Sequence, residues 1–142
     1  MSTENHARAE VKAVLDALSQ GLRNRDAQAI ARLFAPGAKI FDLAPPLSHG
    51  LDADGLAGWL AGWDGPVNQS LTGFEVQVSG DLALCHGLVR VQTMRGGEDV
   101  AWWMRATYGL AREGQSWRII HEHTSVPFYM DGSFRAAIDL QP

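Results

Sequence analysis

Cysteine is almost missing from this chain, and the single one, Cys85, can form no intrachain disulfide. That fits a reducing compartment. Cys85 lies in an apolar alternating stretch, so a buried, inert thiol is expected there rather than a nucleophile. Excess positive charge is missing as well. The net charge is −4, the pI is about 5.6, and no long basic cluster occurs. Nucleic acid and anionic membranes are therefore excluded as main partners. Long apolar runs are missing too. The stretch Met1-Ser2-Thr3-Glu4-Asn5-His6 is polar and acidic and leads into an amphipathic pattern, so a cytoplasmic chain without a membrane span is expected. No repeat, low-complexity linker or break in composition divides the 142 residues, which suit one domain with its own core. Gly-rich phosphate loops, nucleophile elbows and paired cysteines are absent, and no cofactor is expected.

What is present is helical first. Residues 3–24 carry Val11, Val14, Leu15, Leu18 and Leu22 at helical spacing, with charge on the other side. Asp26 suits the N-cap of a short helix through Ile30, Leu33 and Phe34, stopped by Pro36-Gly37. A third helix is expected from Asp52 or Asp54 through Leu56, Trp59, Leu60 and Trp63. After Pro66 the period becomes two. Segments near 70–79, 82–94, 99–111 and 116–126 are rich in Val, Ile, Thr and aromatics, with turn signals between them. Such short connections make antiparallel hairpins. The pattern predicts an α+β fold, with three N-terminal helices on one face of a curved, mostly antiparallel sheet. A short helical cover is expected at Phe134 to Leu140.

Turn positions set an expected register. Around Gly96-Gly97, Arg90 should face Trp103, Leu88 should face Arg105, and His86 should face Thr107. Around Gly114, Leu110 should face Trp117, which sets Arg105 opposite Glu122 and Trp103 opposite Thr124. One face then holds His86, Leu88, Arg90, Trp103, Arg105, Thr107, Ile120, Glu122 and Thr124, a mixture of charge and apolar bulk that suits a ligand pocket. Arg105 and Glu122 would pair across strands. The other face, with Cys85, Val89, Trp102, Met104, Tyr108 and Ile119, is too apolar for water and is expected to pack on a second subunit.

Asp42 ends the apolar run Ala38-Lys39-Ile40-Phe41 and begins the proline-bound loop that leads to His49 and Gly50. A carboxylate ringed by apolar residues is poorly hydrated and hence a stronger base, as proton abstraction from carbon requires. The competing reading is an exposed turn aspartate that caps its own loop. His49, in the same loop, can approach a ligand bound near Asp42. His121 and His123 point the same way from one strand, but no third ligand accompanies them, so they are expected in an interface or core and no metal is expected.

The helix and strand order, together with Arg105-Ala106-Thr107, Arg112-Glu113-Gly114, the run from Trp117 to Pro127 and the segment from Asp42 to Gly50, resembles the nuclear transport factor 2-like superfamily. Within it the likeness is to SnoaL-like, ketosteroid-isomerase-like proteins, over nearly the whole length. The resemblance implies a cone-shaped pocket between helices and sheet, and a homodimer through the outer sheet surface. It also implies that Asp42 stands where ketosteroid isomerases carry their proton-shuttling aspartate. Their helix-one tyrosine falls at Leu18 and their sheet acid at Thr107, so that oxyanion hole is not reproduced. Arg90 matches a pocket arginine of calmodulin-dependent kinase association domains, which implies a carboxylate or enolate oxygen on the ligand.

The expectation is an isomerase-, cyclase- or hydratase-type enzyme for a small, partly apolar carbonyl compound. Asp42 would move the proton, Arg90 and Arg105 would stabilise the negative oxygen, and Glu122 would fix Arg105. His49, Trp59, Trp63, Trp103, Thr107 and Thr124 would line the pocket. The alternative is a non-catalytic ligand-binding or dimerisation module on the same fold.

Overall fold

The periodic apolar residues of the first segment bury one side of α1, Thr3–Arg23, with Val11, Leu15 and Leu18 in the core. The computed structural model describes residues 3–142, so Met1 and Ser2 of the polar lead-in lie outside the described residues. Asp26 caps α2, Ala27–Ala31, by accepting from the Ala29 amide at 3.0 Å. This helix is shorter than its apolar pattern predicts. The Leu33 carbonyl accepts from Ile119 at 2.8 Å, and Phe34 already opens β1, Phe34–Phe41. Sheet pairing wins over helix continuation, and Pro36-Gly37 falls inside the strand. Asp52 caps α3, Ala53–Ala61, through the Asp54 amide, and Trp63 lies just beyond its end. The three helices therefore do not all precede the sheet, because β1 comes between α2 and α3. No helix among the described residues is long and apolar enough to cross a membrane.

Four long strands follow: β2 Asn68–Ser79, β3 Leu82–Arg95, β4 Glu98–Glu113 and β5 Ser116–Ser125. The sheet order is β1-β5-β4-β3-β2, antiparallel except where β1 runs parallel to β5. The β3–β4 register is as expected, with His86 opposite Thr107, Leu88 opposite Arg105 and Arg90 opposite Trp103.

The β4–β5 register differs. Trp117 faces Arg112 rather than Leu110, because the Gly114-Gln115 turn is tighter than the spacing suggests. An irregularity between Gly109 and Leu110 then inserts Ile120, which reverses the side-chain alternation beyond it. Glu122 thus faces Tyr108, and Thr124 faces Ala106. Arg105 faces Ser125 and donates to its hydroxyl at 3.1 Å, so the expected Arg105–Glu122 pair does not form.

The two faces also exchange roles. Cys85, Val89, Val91, Met104, Tyr108, Leu110 and Ile119 are buried beneath the helices, because this apolar set supplies the core. His86, Arg90, Trp103, Arg105 and Thr107 lie on the outer face, away from the helices. His121 and His123 join them there, their rings edge-on to Phe41. Gly87 lets β2 fold over the inner face. A methyl at Gly87 would stand 2.4 Å from the Phe74 ring, which in turn packs 6.3 Å from Tyr108. The expected helix from Phe134 to Leu140 is replaced by turns and an isolated bridge, Phe128 to Ala136. Positive φ values at Gly132 and Phe134 interrupt any helical path.

Candidate functional site

A backbone bridge sets the site. Ile40 and His49 exchange hydrogen bonds at 2.8 and 3.0 Å, closing the intervening loop and fixing His49 beside the end of β1. Ile40 also neighbours Glu122 in the parallel β1–β5 register, so Asp42, one alternation further along, comes up beside Glu122. Tyr108 is the next residue across, on β4. Asp42, His49, Glu122 and Tyr108 thereby converge from two strands and the loop that follows β1.

The hydrogen bonding defines the charge state. His49 Nδ1 lies 2.7 Å from the Gly50 carbonyl, which can only accept, so this nitrogen carries hydrogen. Nε2 lies 2.9 Å from Asp42 Oδ2, and donation there makes an imidazolium–carboxylate pair. The Gly50 carbonyl first, and Asp42 second, accordingly raise the His49 pKa.

The poor hydration expected at Asp42 is found at Glu122 instead, for the Asp42 side chain is 43% exposed. Burial, and then the charge of Asp42, push Glu122 up to about 7. The Tyr108 hydroxyl and the positive charge of His49 oppose that rise. Tyr108 is itself almost fully buried, and burial first, then Glu122, raise its pKa well above the usual phenol value. Its hydroxyl lies towards Glu122 and Gln69 but meets hydrogen-bond geometry with neither. Gln69, also buried, is tied to α1 through Ser19 at 3.3 Å. The cluster therefore sets the exposed Asp42 carboxyl beside Glu122, a second carboxyl that holds its proton more tightly, with the Tyr108 phenol buried next to it.

These shifts carry a stability consequence. Both Glu122 and His49 bind protons more tightly in the folded chain than in the unfolded one. Glu122 contributes fully below its ordinary value of 4.5, and loses that contribution as pH climbs towards about 7. His49 contributes below 6.5, and its contribution is lost as pH rises through its raised folded value. The melting temperature should fall between pH 5 and pH 8, and Glu122→Gln should flatten that fall. Equal slopes in the two proteins would contradict the assignment of a half-buried, protonatable Glu122.

Of the residues expected from sequence, Asp42, His49 and Glu122 are brought together, and Thr124 is buried further along the same face. Arg90, Trp103, Arg105 and Thr107 are not, since they project from the outer face. Arg90 donates to Gln92 there at 3.0 Å. Trp63 is buried between Trp59 and Trp102 with the Arg95 guanidinium over its ring, while Trp59 stays largely exposed. Sequence reasoning missed Tyr108 and Gln69. A tyrosine within the buried alternation Met104-Ala106-Tyr108-Leu110 is the signal that could have found the first.

Two surface hollows lie elsewhere. One, of about 480 Å³, sits on the outer face around His86, Arg105 and Thr107. The other, of about 420 Å³, opens between α2 and β1. No carboxylate lines either hollow, and neither contains Asp42, His49 or Glu122. Among the described residues, no three histidine, cysteine, aspartate or glutamate side chains gather to hold a metal ion. Cys85 is buried, and burial raises its pKa to about 11, as an inert thiol requires.

A family model described as a SnoaL-like domain matches residues 11–129. No curated protein matches the chain. Among solved structures, one from Pseudomonas putida KT2440, described as an NTF2-like protein of unknown function, is 30% identical. The match covers 99% of this chain and 100% of that one, with a TM-score of 0.88. A protein from Streptomyces avermitilis, provisionally described as a dehydratase of the NTF2-like family, is 19% identical over 87% of this chain and 97% of its own, with a TM-score of 0.76. A calmodulin-dependent kinase hub homology domain from a Chlamydamonas reinhardtii protein is 20% identical over 84% and 97%, with a TM-score of 0.68. At those last two identities the likeness concerns the fold alone.

Proposed function

Because this chain belongs to the SnoaL-like domain family of NTF2-like proteins, we propose that it is an acid–base enzyme of isomerase or hydratase type, acting on a small, partly apolar carbonyl compound. The observation that carries this reading is the pairing of two carboxyl groups in opposite surroundings. Asp42 is exposed and paired with His49, whereas Glu122 is half-buried, and burial and the charge of Asp42 push its pKa up to about 7. Environments that separate two carboxyl groups in this way assign one as base and the other as acid.

Asp42 takes a proton from the carbon beside the carbonyl, and the C–H electron pair moves into an enolate. The oxygen of that enolate accepts hydrogen bonds from Tyr108 and from protonated Glu122. Return of the proton to another carbon completes an isomerisation. If a β-hydroxyl is present, Glu122 protonates it and water leaves, which completes a dehydration. The provisional description of the Streptomyces avermitilis relative supports the second outcome. Arg105 and Arg90, expected to stabilise the oxygen, are replaced in that role by Tyr108 and Glu122. The test is conversion of a carbonyl compound bound by the wild type, which Asp42→Asn should leave unconverted.

The likeness to a hub homology domain supports assembly as a second element of the reading. The outer sheet face exposes Leu82, Leu84 and Ile120, and we propose that it joins two copies. Light scattering should then report a dimer that Leu84→Lys combined with Ile120→Asp converts to monomer. A monomeric wild type would contradict the interface.

A further inference from the structure

The groove between α2 and β1 is built by an irregularity in the parallel pairing. Five steps of β1, from Phe34 to Lys39, span only two steps of β5, from Ile119 to His121. The surplus residues bow away from the ladder through Pro36 and Gly37, the latter at φ +80°, where a side chain would be strained. The bow leaves a groove of about 420 Å³, within the range of small-ligand sites. Phe34, Pro36 and Leu51 give it apolar walls, and Arg32 and Arg118 enter it from separate elements, the end of α2 and β5.

Those two arginines are set apart from the others around the sheet. Arg112 is held by Asp81 at 3.0 Å, Arg105 by Ser125, Arg90 by Gln92, and Arg95 by the Trp63 ring. Among the described residues, neither the Arg32 nor the Arg118 guanidinium has a hydrogen-bond or ion-pair partner, and no carboxylate lines the groove. In a chain of net charge −4, two uncompensated guanidinium groups facing one apolar groove mark a site of opposite complementarity. A guanidinium fork matches a carboxylate, and the walls match an apolar body.

We infer that this groove binds an organic carboxylate with an aryl or short alkyl body, at a site separate from the Asp42 cluster. The inference does not depend on the acid–base reading.

The test is calorimetric titration of the purified protein with 3-phenylpropionate, its neutral amide and inorganic phosphate. Saturable binding of the carboxylate at millimolar concentration or below is expected, with the amide and phosphate at least about tenfold weaker. Arg118→Gln and Arg32→Gln should each weaken binding by about tenfold, and the double variant should abolish it. Arg118→Lys should restore only part, since it keeps the charge but not the fork. Asp42→Asn should bind as the wild type does. Both arginines are at the surface, and an unchanged melting temperature without ligand confirms that each variant folds. Undiminished binding by the double variant, phosphate binding as tight as the carboxylate, no saturable binding, or loss of binding in Asp42→Asn would each overturn the assignment.

Discussion

Asp42→Asn is expected to lower turnover of a carbonyl substrate by about 10²- to 10⁴-fold, the usual contribution of a positioned general base. The substitution keeps the shape of the side chain and an acceptor for His49 Nε2, but removes the proton-accepting charge. Folding should be nearly unaffected. The Asp42 side chain is 43% exposed, and an ion pair that open to solvent contributes little to stability. Activity and melting temperature are thus expected to separate, with kcat falling and the fold intact. Full turnover in this variant would remove Asp42 from the chemistry and favour a binding or dimerisation module.

Tyr108→Phe should produce effects of opposite sign on stability and on catalysis. The Tyr108 hydroxyl is buried without a hydrogen-bond partner, an arrangement that typically costs about 1–3 kcal/mol. Its removal should leave the folded state as stable as before, or more stable by up to about that amount. If the hydroxyl is held free to meet the enolate oxygen, kcat should fall by about 10²- to 10³-fold, the cost of one oxyanion donor. Glu122 should also respond, since the Tyr108 hydroxyl opposes the rise of its pKa. The alkaline limb of the rate profile, where Glu122 loses its proton, should therefore move upward in pH. A destabilised protein with unchanged turnover would show instead that Tyr108 serves only the core.

Much of the fold is legible in the sequence because turns and periodicity act locally. Gly96-Gly97 fixes one hairpin, and the apolar spacing from Val11 to Leu18 fixes α1. The second hairpin is not legible, because the inserted Ile120 is a β-branched residue with no local mark of an irregularity. That one insertion decides the site. It turns Glu122 from the face of Arg105 to the face of Tyr108, and turns His121 and His123 outward. The identity of the buried face is misleading as well. Charge at Arg90 and Arg105 suggests a pocket, and the richer apolar set suggests a partner. Burial follows apolar area, and the helices take the face with Val89, Met104 and Leu110. Asp42 and His49 are legible as neighbours because the short loop between them must return the chain to Ile40.

The most direct test of proton abstraction at Asp42 is proton NMR of a panel of ketones and enones in D2O with the purified protein. Loss of the signal of the proton beside the carbonyl reports its exchange, whatever product forms. At least one compound should exchange faster than in buffer, and Asp42→Asn should return that rate to the buffer value. Exchange no faster than buffer across the panel, or equally fast in Asp42→Asn, would contradict the account.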